Sequence, residues 1–120
     1  MPGFPLWRMK HLESSITHLP AVPGLYVIGH EESIEGLEIR REYVYVGKTL
    51  NMRRRLSEHN HFTELHPILA SYLRRNRHRA KVWYTTEIDV KDVDRLERKL
   101  IRELKPEYNR VKYAGGIADE

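Results

Sequence analysis

The sequence predicts an α/β domain of the α+β kind, in which a small three-stranded sheet is flanked by helices. Three short runs rich in β-branched and aromatic residues indicate strands, and three longer segments with apolar residues at helical spacing indicate helices. These segments follow one another in the order β-β-α-α-β-α, after a further short helix that we expect over Trp7–Thr17. The length of 120 residues suits a single domain over 1–120, with irregular tails at 1–8 and 113–120.

The strands are predicted at Leu25–Ile28, Glu42–Gly47 and Lys81–Ile88. Because side chains alternate along a strand, Tyr43 and Tyr45 are expected on one face of the second strand, with Val44 and Val46 on the other. The charged stretch 30–41 contains Gly36 and is typical of either a connecting loop or a hairpin.

The helices are predicted from their ends and from their apolar stripes. Asn51 is a suitable N-cap for a helix that runs to about Asn60, and Pro67 suits the first turn of the next helix. The last helix, Asp89–Lys105, is followed at once by Pro106. The stripes expected to face the core are Met52 and Leu56, then Leu65, Leu69, Tyr72 and Leu73, then Val93, Leu96, Leu100 and Leu104.

The chain contains no cysteine, which excludes disulfides, thiol catalysis and cysteine-bound zinc and fits a reducing cytoplasm. The longest uncharged stretch near the start, Leu19–Gly29, is interrupted by Pro20, Pro23 and Gly24 and cannot span a bilayer. The first ten residues do not have the charge and apolar pattern of a signal peptide. We therefore expect a cytoplasmic protein.

The positive charge is concentrated in one part of the sequence. The net charge is +4, but residues 48–79 hold eight Lys or Arg against two Glu, while the remainder of the chain is slightly acidic. Four of the seven histidines lie in the same block. Such a block is typical either of a surface that faces a polyanion or of an ordinary solvated face, and charge alone favours neither.

Glu97 falls within the apolar stripe of the last helix, one turn after Val93 and one turn before Ile101. An ionised carboxylate in that position is costly unless something compensates its charge. A divalent cation, a positive side chain or partial exposure would each do so. Periodicity alone favours a salt bridge.

Two further groups of residues are able to carry chemistry. Arg55 and His59 lie four residues apart and so share one helix face, where an arginine can hold a phosphate and a histidine can move a proton. In isolation the simpler interpretation is a solvated arginine and a surface histidine. Tyr26 and Tyr45 become neighbours if their strands pair, and the second strand ends in Gly47-Lys48, where glycine permits close approach of a ligand.

Taken in order, these residues resemble the GIY-YIG nuclease family. The resemblance runs from about Ile16 to Arg110. The triplets Gly24-Leu25-Tyr26 and Tyr45-Val46-Gly47 are conservative versions of the two motifs that name the family. The segment from Tyr45 to Met52 is most similar to the branch that contains the incision subunit of bacterial nucleotide-excision repair, whereas His59 is more similar to homing and restriction members. The matching positions are Pro23-Gly24-Leu25-Tyr26, Tyr45-Val46-Gly47-Lys48, Arg55, His59, Glu97 and Pro106-Glu107-Tyr108-Asn109.

The resemblance implies a GIY-YIG-like, mostly antiparallel sheet and hydrolysis of DNA phosphodiester bonds with one Mg²⁺ or Mn²⁺ ion. It implies that Glu97 binds the metal, that Tyr26 activates the attacking water and that Asn109 braces the site. Tyr45, Arg55 and His59 resemble residues that position the phosphate or relay protons. An unperturbed phenol has a pKa of about 10 and is almost wholly protonated at neutral pH, so Tyr26 needs help to act as the base. If Tyr26 cannot be deprotonated, His59 is the better candidate for the base. The residues expected to contact DNA are Gly47, Lys48, Arg53, Arg54, Arg74 and Arg75.

Several alternatives remain open at the level of sequence. Eighteen residues (27–44) separate Tyr26 from Tyr45, more than compact members use, so we expect an elongated hairpin whose register the sequence does not determine. The resemblance implies a DNA partner in the nucleoid. Four sources of specificity stay open: cutting with little sequence preference, recognition of DNA structure, a homodimer, or a protein partner that gives specificity. A module that binds nucleic acid without cutting it is the alternative function. Repair, restriction, homing and mobile-element roles are equally compatible.

Overall fold

The computed structural model describes residues 5–12, 19–60 and 67–109, and within these it forms a four-stranded antiparallel sheet with three α-helices. Across the sheet, the first strand in the chain is followed by the fourth, then the second, then the third. None of the helices in this described part is long and apolar enough to cross a membrane. The elements are β1 (Arg8–His11), β2 (Gly24–Ile34), β3 (Leu37–Thr49), α1 (Met52–Asn60), α2 (Pro67–Arg75), β4 (Lys81–Thr85) and α3 (Val90–Leu104), followed by a 3₁₀ turn at Glu107–Asn109.

The sheet lies between two helical layers. In an antiparallel pair, residues directly opposite each other point to the same side, so the partners Ile28 and Tyr45 share one face. That face packs against the inner sides of α1 and α2 in the main core, where Leu56 and Leu69 are fully buried. The opposite face carries Val27 and Trp83 towards α3, and the leucines of α3 line an apolar cavity there.

The predicted elongated hairpin is confirmed and joins β2 to β3. Its tip is the two-residue turn Glu35-Gly36, and both residues have positive φ, as a type I′ turn requires. The pairing of β2 with β4 ends at Gly29, so residues 30–34 and 37–42 form a two-stranded arm beyond the sheet. Cross-strand ion pairs such as Arg40–Glu32 at 2.7 Å hold the arm together.

The prediction that Tyr43 and Tyr45 share one face of β3 is wrong. The register shifts between Ile28 and Gly29, so Val44 is an extra residue in β3 and the alternation is interrupted. Tyr45 and Val44 both lie in the main core, whereas Tyr43 makes an edge contact with Trp83 on the other side of the sheet at 5.1 Å between ring centroids. Local alternation could not anticipate a bulge that long-range pairing produces.

The prediction of a short helix over Trp7–Thr17 is also wrong, as far as the structure describes these residues. Residues Arg8–His11 form an edge strand that pairs with β4, and the sheet therefore has four strands instead of three. This segment carries little apolar alternation, and its strand conformation depends on the edge that β4 offers. Residues 13–17 lie outside the described part.

The other three helix predictions are confirmed where the structure describes them. Asn51 caps α1, since its Oδ1 accepts a hydrogen bond from the backbone N–H of Arg54 at 3.0 Å. Pro67 begins α2. Asp89 caps α3, which ends at Lys105 in the left-handed conformation just before Pro106. Leu65 lies outside the described residues. The last strand ends at Thr85, three residues before the predicted end.

Candidate active site

Gly47 provides the space that the ring of Tyr26 occupies. The two residues are direct partners in the β2–β3 ladder. A Cβ atom built on Gly47 would lie 2.4 Å from Cζ and 2.5 Å from the hydroxyl oxygen of Tyr26, well inside contact distance. Glycine at this position therefore allows the phenol of Tyr26 to lie across the neighbouring strand. This packing explains why the Tyr-Val-Gly motif ends in glycine.

Tyr26 and Tyr45 form a pair at the centre of the sheet. Their ring centroids are 6.2 Å apart and the rings are tilted by 40°, a geometry in which two aromatic rings attract each other. Both residues are almost completely buried. The predicted proximity of the two tyrosines is thus observed, although the hairpin between them is long.

Asn109 fastens the outer edge of β3 beside these residues. Its Nδ2 donates to the carbonyl oxygen of Val46 and its Oδ1 accepts from the N–H of Val46, each at 2.7 Å. Because β3 is the last strand of the sheet, its outward-facing backbone groups would otherwise need other partners. The asparagine therefore fixes the backbone between Tyr45 and Gly47, as the bracing role implies.

Arg55 extends from α1 into the protein and is only 4% exposed. Its Nη1 donates to Glu58 at 3.0 Å. A guanidinium held this deeply has lost most of its hydration, so its charge acts strongly on any anion that reaches it. The expected solvated arginine is thus not what the structure contains. His59 lies one turn later on the backbone of α1, and its side chain is outside the described residues.

Glu97 and Lys48 meet at the end of β3. Glu97 is 8% exposed and occupies the buried side of α3 together with Val93. The Nζ of Lys48 lies 3.8 Å from Oε1 of Glu97 and also donates to Asp94, one turn earlier on α3. The salt bridge that periodicity favoured is therefore present. The hydrogen bond from Lys48 holds the pKa of the Asp94 carboxyl below its ordinary value.

The donor set around Glu97 fits a weakly held divalent cation. In the described residues there is no cluster of three or more His, Cys, Asp or Glu that could enclose a metal ion. One largely buried carboxylate beside a strand end suits Mg²⁺, which retains several water ligands and takes further oxygens from a substrate phosphate. Glu97 is the residue that would hold the ion.

The remaining predicted DNA contacts differ in their surroundings. Arg54 is exposed at the start of α1, and Arg74 and Arg75 are exposed in the last turn of α2. Arg53 donates through Nε to the carbonyl oxygen of Leu19 at 2.6 Å, which ties the preceding loop to α1. The described contacts do not link the two arginines of α2 to the group around Lys48.

Sequence reasoning missed Asp94 in this region. Asp94 lies three residues before Glu97, so helical spacing places both carboxylates on adjoining sides of one turn. The spacing was visible, but the position of Lys48 opposite them depends on how α3 packs against β3. Only the three-dimensional arrangement brings the two acids to one ammonium group.

The model of the GIY-YIG catalytic domain matches residues 23–110, which is most of the chain. The chain belongs to the GIY-YIG nuclease family. The matched range contains both tyrosines, Arg55, Glu97 and Asn109, and so includes every element of the candidate site. No protein with a curated function matches the chain.

The GIY-YIG fold is also found by comparison with solved structures. The N-terminal endonuclease domain of UvrC from Thermotoga maritima, bound to magnesium, matches with a TM-score of 0.51 and 22% identity over 78% of this chain and 90% of that one. Variants of the same domain with a tyrosine replaced by phenylalanine or an asparagine by alanine match with TM-scores of 0.53 to 0.54 and 18 to 19% identity. Each is described as bound to its catalytic divalent cation.

Proposed function

We propose that this GIY-YIG domain is a metal-dependent DNA endonuclease that hydrolyses one strand per site. The observation that carries the proposal is the meeting of Glu97 with Lys48 at the end of the strand that bears Tyr45 and Gly47. The family match and the cation-bound UvrC domain support it. We take the catalytic unit to be a single domain that acts on DNA in the cytoplasm, either as a homodimer or with a partner that supplies specificity.

The cation bound at Glu97 would supply Lewis-acid activation of the phosphate and of the attacking water. Arg55 is suited to stabilise the negative charge that develops on the phosphoryl oxygens, because its burial reduces solvent screening. Lys48 adds a positive charge whose Nζ lies 3.8 Å from Oε1 of Glu97. Asn109 keeps β3 in place and so keeps Tyr45 and Gly47 aligned with Tyr26.

Either Tyr26 or His59 accepts the proton of the attacking water. Tyr26 is fully buried against Gly47, so its hydroxyl group is held in one place. His59 is placed by the backbone of α1 one turn after Arg55. The pH–rate profiles of Tyr26→Phe and His59→Ala decide between them, because only replacement of the base removes the rise of rate with pH.

Replacement of Glu97 by glutamine should abolish metal-dependent nicking of supercoiled plasmid. We expect the rate with Mg²⁺ or Mn²⁺ to fall at least about a hundredfold, as for other losses of charge stabilisation at a reacting centre. Glu103→Gln is the matched control, since Glu103 is an exposed acid on the same helix. DNA binding by gel shift is measured in parallel.

The alternative function, a module that binds DNA without cutting it, predicts a different result. Such a module would bind plasmid and branched DNA but would nick neither at any metal concentration. Nicking that survives in Glu97→Gln at the rate of the control would exclude Glu97 as the metal residue. A comparison of duplex, flap, junction and single-stranded substrates then defines which DNA structure is cut.

A further inference from the structure

The ammonium group of Lys48 is shared between two carboxylates of α3 that differ in exposure. The side chain of Glu97 is 10% exposed, whereas that of Asp94 is 52% exposed. Lys48 donates its hydrogen bond to Asp94 and remains 3.8 Å from Glu97. The lysine therefore makes its hydrogen bond with the exposed acid and a longer ion pair with the buried one.

Asp94 is itself held in a fixed position. Its Oδ2 accepts a hydrogen bond from Nη1 of Arg98 at 2.5 Å, one turn later on α3, while its Oδ1 faces Lys48. Both oxygens of Asp94 are thus engaged with cations of the protein. This occupancy argues that Asp94 orients Lys48, and it argues against Asp94 as a ligand of a metal ion.

A cavity of about 200 Å³ adjoins this pair between the start of β2 and the first turns of α3. Lys48 and Asp94 both line this cavity, and Glu97 is not among its lining residues. The residues that line it are Pro23, Lys48, Thr49, Leu50, Val90, Val93 and Asp94.

An ammonium group and a divalent cation compete for the same carboxylate, because each neutralises it and each repels the other. A buried glutamate that pairs directly with lysine would bind a metal ion only after that pair separates. If the lysine keeps its hydrogen bond to a neighbouring acid, the metal ion binds to the glutamate at a lower cost and the lysine stays beside the site.

We propose that Asp94 is a positioning residue that retains the Lys48 ammonium beside Glu97, so that Glu97 binds a divalent cation without displacing the lysine. This inference rests on the proposed function in one respect, the assignment of the cation to Glu97. It goes further in assigning a role to an acid that the family motifs do not include and in making cation affinity depend on Lys48.

The test measures Mn²⁺ binding to the intact protein without DNA, by the loss of the electron paramagnetic resonance signal of free Mn²⁺. In Asp94→Asn the lysine loses the carboxylate to which it is hydrogen-bonded and moves closer to Glu97, so the dissociation constant of Mn²⁺ should rise about tenfold, as for other outer-shell partners of metal ligands. Asp92→Asn is the matched control, because Asp92 pairs with Arg95 on the same helix. Thermal unfolding verifies that each variant is folded.

A double variant separates positioning from direct ligation. Lys48→Met removes the competing ammonium, so adding Asp94→Asn to Lys48→Met should leave Mn²⁺ affinity unchanged. An equal loss of affinity in both backgrounds would make Asp94 a ligand and overturn the proposal. So would an Asp94→Asn variant that binds Mn²⁺ as tightly as the Asp92→Asn control.

Glu97→Gln, measured in the same way, keeps this test distinct from that of the proposed function. Loss of Mn²⁺ binding in Glu97→Gln together with unchanged binding in Asp94→Asn overturns the positioning role alone. Unchanged Mn²⁺ binding in Glu97→Gln overturns the assignment of the cation and, with it, both proposals.

Discussion

At the scale of single residues, the site depends on close packing as much as on chemistry. Tyr26 lies over Gly47, and Asn109 holds the one residue between Gly47 and Tyr45 through both of its backbone groups. The motif glycine is needed because a neighbouring ring fills the volume that its side chain would take. A change at Gly47 is therefore expected to act through the position of Tyr26.

Gly47→Ala should destabilise the protein by about 1–3 kcal/mol, the usual cost of overpacking a core, and should reduce nicking because the phenol is displaced. The added Cβ would lie 2.4 Å from Cζ of Tyr26, so the ring has to move. Urea unfolding measures the free-energy change. In a Tyr26→Leu background the same alanine should cost less, since the clash is removed. Equal costs in both backgrounds would contradict this explanation.

At the scale of elements, a buried polar contact connects α2 to the sheet. His30 on β2 forms a hydrogen bond through Nδ1 with the hydroxyl of Tyr72 on α2 at 2.6 Å, and its Nε2 lies 3.3 Å from Glu42 on β3. His30 is 4% exposed. Burial lowers the pKa of His30, with a smaller contribution in the same direction from Arg79, and burial raises the pKa of Tyr72.

The lowered pKa of His30 predicts a loss of stability in mild acid. His30 binds a proton less readily in the folded state than in the unfolded state, where the pKa of histidine is about 6.5. The stability that neutral His30 contributes is therefore fully present above that pH. It declines as the pH falls through 6.5 towards the folded-state pKa. Urea unfolding at several pH values between 5 and 8 measures this slope. The slope should become shallower in His30→Gln, whereas His78→Gln, at an exposed position, should keep it.

Elements differ in how far the sequence alone predicts them. The helices follow from information within one segment, such as the Asn51 cap and the Pro106 stop, and the structure confirms both. β1 depends on β4, which is distant in sequence, and the bulge at Val44 depends on the register between β2 and β3, so local patterns did not reveal either. The same holds for the candidate site. The position of Glu97 in an apolar stripe predicted a salt bridge, which the structure contains, but the contact of Asp94 with Lys48 required the packing of α3 against β3.

At the scale of the whole molecule, charge is distributed unevenly between the arm and the helices. Residues 30–42 contain five Glu and two Arg, and the arm ends in the exposed side chains of Ile34, Leu37 and Ile39. The last turn of α2 instead presents Arg74 and Arg75, with Arg77 and Arg79 exposed just beyond it. A DNA phosphate backbone should therefore approach α2 and avoid the arm.

Affinity for duplex DNA should fall steeply as salt rises, because bound arginines release counterions from the phosphates. Arg74→Ala and Arg75→Ala should each reduce the slope of log affinity against log salt by about 1. Fluorescence anisotropy with a labelled duplex, at several salt concentrations without divalent metal, gives the slope. Arg95→Ala, an exposed arginine paired with Asp92 on α3, serves as the control and should leave it unchanged. An unaltered slope in the Arg74→Ala, Arg75→Ala double variant would place the DNA elsewhere.

The position of Asn109 and Glu97 along the chain has a consequence for biosynthesis. Tyr26, Tyr45 and Arg55 are translated before β4. Glu97 follows only with α3, and Asn109, which fastens β3, follows with the turn after α3. A ribosome-bound intermediate that ends at β4 would possess the phenols and the guanidinium but lack both later groups. Under the proposed function, such an unfinished chain would be harmless to the genome, and the ability to cut would arise only at the final stage of folding.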